Sequence, residues 1–71
     1  MSNDLQILQA EAAAAYADMT AARMERASVA YATRDETERL ASVAAADAAT
    51  KTYERAAARL LYAVNVANRG F

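Results

Sequence analysis

Between Leu5 and Ala22, apolar residues return every three or four positions: Leu5, Leu8, Ala12, Ala15, Met19 and Ala22. That spacing marks one face of an α-helix. Asp4, Glu11, Asp18 and Glu25 recur beside it at seven-residue intervals, where charges between paired helices set orientation. A second apolar row runs alongside the first: Ile7, Ala10, Ala14, Ala17, Ala21, Met24, Ser28 and Tyr31. Together the rows cover a wider arc than one antiparallel neighbour can bury.

The second half of the chain repeats this organisation. One stripe runs Leu40, Val43, Ala46, Thr50, Tyr53, Ala57, Leu60, Val64 and Ala67, and Leu61 widens it. A separate line, Arg55, Arg59, Tyr62, Val66 and Arg69, mixes guanidinium groups with aromatic and aliphatic surface.

Boundary signals divide the chain in two. Asn3 with Gln6, and Thr33 with Glu36, match capping boxes, the second followed by acids that the helix dipole favours. Gly70 stands where a left-handed C′ residue belongs, behind cationic Arg69, with Phe71 and Val66 placed to touch in a Schellman cap. The spacing predicts helices over 3–32 and 34–69 within one domain covering 1–71. The expected fold is all-α, an antiparallel hairpin of two long helices that assembles into a multi-chain bundle. Nothing at Ala32 and Thr33 forces a turn, so one long, nearly continuous helix is the alternative. A shallow kink near 47–52 would give three helices.

Composition strengthens the helical reading. Alanine fills 22 of 71 positions, there is no Pro, and the one Gly is Gly70, so nothing inside breaks a helix. Charge favours antiparallel packing. Positions 1–22 carry three acids and no base, while positions 55–71 carry three arginines and no acid, within a net charge of −1. A hairpin, or an antiparallel pair of long helices, sets the acidic start beside the basic end.

The same composition narrows function. With no Cys and no His, the chain lacks a disulfide framework, thiolate chemistry, and the commonest general base and transition-metal ligand. No nucleophile is paired with a base, and no Gly-rich loop cradles a phosphate, so no enzyme, cofactor or metal site is expected. Asp35, Glu36 and Glu38 are the densest acids, and they read as a helix N-terminus with Arg34–Glu38 and Asp35–Arg39 pairs. The longest apolar run, 12–17, is far short of the roughly 20 residues of a membrane span, and the N-terminus has no secretory pattern. A cytoplasmic protein, or one built into a particle assembled there, is expected.

Size then points to partners. Only 17 large apolar side chains follow Met1, which leaves a lone alanine-seamed hairpin marginal. Leu5, Leu8, Ala12, Ala15, Met19, Ala22, Tyr53, Ala57, Leu60 and Val64 are the candidate self-association residues, and the second stripes extend association between chains. Arg55, Arg59, Tyr62, Val66 and Arg69 are candidates for contact with a partner or an anion, against the plainer reading of a subunit contact or solvated face. Arg26 falls on a core-type position, where it either pairs with Asp47 or Glu54 or lies beyond the packed region. The tyrosines read as bulky interface knobs and Met19 and Met24 as core fillers.

The expected function is therefore that of a non-enzymatic, self-assembling structural or accessory subunit. Its alanine and arginine usage fits a GC-rich bacterial or bacteriophage genome. The alternative is a small oligomeric regulator or inhibitor that binds a macromolecule or anionic ligand through the Arg/Tyr face. Expected partners are further copies of the chain and another protein, whereas duplex nucleic acid suits this acidic balance poorly.

Overall fold

The computed structural model describes residues 2–32 and 35–69, with side chains from Asp4 onward. Two helices make up almost all of it, α1 (Ser2–Ala32) and α2 (Glu36–Arg69). They pack against each other and are joined only by segment 33–35, so they lie antiparallel. This is the expected hairpin. The chain folds back before Glu36 rather than continuing as one helix, and α2 runs unbroken through 47–52.

α2 starts two residues later than expected, because Asp35 caps it. The Thr37 backbone N–H donates to Asp35 Oδ1 at 2.9 Å. The Arg39 N–H donates to the Asp35 carbonyl at 3.1 Å, closing the first helical turn. Asp is as strong an N-cap as Thr, and this choice keeps Glu36 and Glu38 in the first turn, at the positive end of the dipole. The expected caps at Asn3, Thr33 and Gly70 with Phe71, and the Arg34–Glu38 pair, lie outside the described residues and side chains.

The seam between the helices is made of small side chains. Ala12, Ala15 and Met19 of α1 and Ser42, Ala46 and Ala56 of α2 are buried. Ala12, Ala15 and Ala56 form its centre, with Tyr53 and Leu60 packed against them. Ser42 tolerates burial because its hydroxyl donates to the Arg39 carbonyl at 2.8 Å, and Thr50 bonds the Ala46 carbonyl in the same way. Two flanking contacts fix the approach. Tyr16 and Tyr53 meet edge to face, with ring centroids 5.4 Å apart. Glu11 and Arg59 form an ion pair at 3.8 Å. Glu11 precedes Tyr16 by five residues, so these contacts close opposite shoulders of the seam.

The product is a rod of 57 × 14 × 12 Å, two helices wide and one layer deep. Its radius of gyration is 16.2 Å, against about 11 Å for a compact globule of this length. Its accessible surface is 5656 Å², against about 4,300 Å² for a folded monomer of this mass. The hairpin therefore leaves roughly 1,300 Å² more surface in water than its size requires.

Two substitutions test this arrangement by urea unfolding. Ala56→Leu is expected to overpack the seam and lower stability by about 1–3 kcal/mol, whereas Leu at exposed Ala58 changes it by less than about 0.5 kcal/mol. Asp35→Ala is expected to cost about 1 kcal/mol through the lost cap.

Candidate interaction surface

The structure divides the apolar positions into those the hairpin uses and those it leaves out. Ala12, Ala15 and Met19 are buried, and Leu5, Leu8, Ala22, Tyr53, Ala57, Leu60 and Val64 are half-buried, all within one chain's own α1–α2 seam. Sequence reasoning missed Ser42, Ala49, Ala56 and Ala63, which share that face. The line 42, 46, 49, 53, 56, 60, 63 keeps the same three-and-four rhythm as the stripe chosen from sequence. Both lines face α1, and the deeper one was legible only by admitting a serine into a core row.

Three stripe members fall outside the seam. Leu40 is 62% exposed, because the two three-residue steps 40–43–46 walk off the heptad and turn it away from α1. Leu61 is equally exposed. Ala67 is exposed where α2 passes the start of α1. Arg26 is exposed too. It borders a shallow open recess with Arg23, Ala27 and Ala30 and makes no ion pair with Asp47 or Glu54 among the described residues. The seam resumes beyond it at half-buried Val29.

The second row of α1 is exposed along its whole length. Ile7, Ala10, Ala14, Ala17, Ala21, Met24, Ser28 and Tyr31 all face water, with Met24 at 68% and Tyr31 at 98%. The inner seam lies on the other side of the same helix, so hydrophobic residues are spread almost evenly around the axis. A helix with one buried face concentrates them on one side. No charged residue interrupts the outer row, and the acids Glu11, Asp18 and Glu25 run along one edge of it.

The Arg55, Arg59, Tyr62, Val66 and Arg69 line is also entirely exposed. Arg59 is held by Glu11, with both side chains half or more in water. Tyr62 and Val66 border an open, mostly apolar groove of about 640 Å³, shared with Leu5, Leu8, Ala63 and Ala67 and edged by Asp4. A second recess brings Asp18 and Glu11 beside Thr52 and Arg59. These surfaces suit the docking of another helix: they are long, shallow, ridged at helical spacing and edged by charge. Among the described residues, no three acidic side chains come together as a metal site, and no helix is long and apolar enough to cross a membrane.

The Glu11–Arg59 pair is solvated, so it contributes little. Arg59→Gln is expected to lower hairpin stability by under about 1 kcal/mol, a difference that fades in 1 M salt. A larger, salt-independent loss in chemical unfolding would contradict this reading of the pair.

Comparison with protein-family models, curated proteins and solved structures finds no match to this chain.

Proposed function

We propose that the chain is a non-enzymatic helical building block that associates with further copies of itself, as a structural or accessory subunit of a larger assembly. The observation that carries this reading is the outer row of α1. Eight uncharged positions at unbroken helical spacing lie in water, including Ile7, Met24 and Tyr31. Apolar surface of that extent on a small protein marks an interaction site. The surplus accessible surface supports the same conclusion. It exceeds the roughly 800 Å² per partner that a standard protein interface buries. Partnering would supply the burial that a one-layer rod lacks.

A regulatory reading has one observation of its own. Arg55 and Arg59 stand in line with Tyr62 and Val66, which open onto the apolar groove at the chain ends. An acidic, partly apolar macromolecule or ligand would suit that combination. Arg55→Ala with Arg59→Ala separates the readings. Intact oligomers that lose a partner would favour the regulator, and loss of oligomers would favour the subunit.

Self-assembly also makes stability depend on concentration. The thermal midpoint by circular dichroism is expected to rise by several degrees for each tenfold increase in chain concentration. A midpoint independent of concentration would overturn the proposal.

A further inference from the structure

We propose that two hairpins pair two-fold through the outer line of α2, antiparallel, with Glu38 of each copy opposite Arg69 of the other. This inference rests on the self-assembly reading and names one contact by which it occurs. Helical spacing carries the line of Arg59, Tyr62 and Val66 back through Thr52 to Ala48, Ala45 and Ala41, and it ends at Glu38 and Arg69. Every one of these residues is exposed. Between its ends the line is divided by size, with three alanines and Thr52 in its first half and Arg55, Arg59, Tyr62 and Val66 in its second.

That division selects a pairing. Turned end for end about an axis between Thr52 and Arg55, the line meets a second copy with large against small throughout. Tyr62 stands opposite Ala45, Val66 opposite Ala41, and Arg59 opposite Ala48. Large knobs entering holes floored by alanine is how helices interdigitate closely. At both ends Glu38 meets Arg69, an opposite-charge pair that the two-fold axis repeats. Arg55 stands opposite Thr52 of the other copy, which lines one recess with Asp18.

The competing arrangements lack this fit. Parallel pairing of the same line sets Tyr62 on Tyr62, Arg69 on Arg69 and Glu38 on Glu38, combining steric crowding with like charge. Antiparallel pairing of two α1 outer rows brings the edge of Glu11, Asp18 and Glu25 against its own copy. The α2 line has Glu11 and Asp18 along its inner side as well, but its own arginines stand there to offset them, Arg59 already holding Glu11. Its outer neighbours are Thr37, Ala44, Lys51, Ala58 and Asn65.

A size exchange tests the register. Dimer dissociation constants would be measured by sedimentation equilibrium for the wild type, Ala45→Tyr, Tyr62→Ala and the double variant. Each single change is expected to weaken pairing about tenfold, and the double change to return it to within about threefold of wild type. Both positions are exposed, so helicity stays unchanged. Because the chain has no native Cys, spin labels at Thr37→Cys and Lys51→Cys report geometry independently. The two Lys51 labels are expected within about 20 Å and the two Thr37 labels about 50 Å apart. Short distances at both sites would mean parallel pairing, and about 30 Å at Lys51 would mean pairing through α1; either overturns the proposal. Oligomers whose affinity neither single variant changes, or a double variant no tighter than the singles, overturn this contact alone. A wild type monomeric at every concentration overturns both the contact and the self-assembly reading.

Discussion

The close approach of Ala12 and Ala15 to Ala56 is the contact on which the rest of the structure depends. Side chains this small let two helices come together tightly, but they bury little apolar area per turn. A long seam compensates for a thin one, which is why 31- and 34-residue helices are used to build a 71-residue protein. Length in turn makes the molecule a rod, and a rod one layer deep has no interior in which to place bulky residues. Ile7, Met24, Tyr31, Leu40, Leu61 and Tyr62 consequently stand in water. Exposure of the large side chains thus follows directly from an alanine core.

Much of the fold was legible because alanine and the absence of internal breakers leave few alternatives to helix. The stripe from Leu5 to Ala22, read in sequence as self-association surface, is the buried and half-buried face of α1 within the hairpin, and it stops short of half-buried Val29. The charge difference between the chain ends pointed to antiparallel packing, and Glu11 with Arg59 is one pair in which those ends meet. In α2 the reading slipped where chemistry and geometry part. Ser42 was passed over because it is polar, although a helix carbonyl satisfies its hydroxyl. Leu40 was included because it is apolar, although its spacing turns it outward. The start of α2 differs from the expected one because Thr33 and Asp35 are both good caps two residues apart in sequence, and the bond from the Thr37 N–H to Asp35 Oδ1 is what identifies Asp35 as a cap of α2. Arg26 was legible only as a question, since periodicity places a residue on a face and says nothing of whether the seam closes there.

The outer surfaces were equally visible in sequence, as apolar rows in excess of what one neighbour can cover. What sequence could not rank is which row meets which. Structure adds that the α1 row and the α2 line are both left open by the hairpin, on different helices, with the acids Glu11 and Asp18 between them. The α1 row sets a run of alanines between Ile7 at one end and Met24 and Tyr31 at the other, whereas the α2 line is divided between alanine in one half and large residues in the other. On the proposed reading, two dissimilar open faces would let the hairpin form one contact by two-fold pairing and keep the other for growth.

The most direct test of self-association is the solution mass of the wild-type chain, by light scattering behind a sizing column, at low and high salt. The account predicts a mass of two or more chains, retained at high salt because apolar rows carry most of the contact. A fully helical protein eluting at the mass of one chain under both conditions would contradict it.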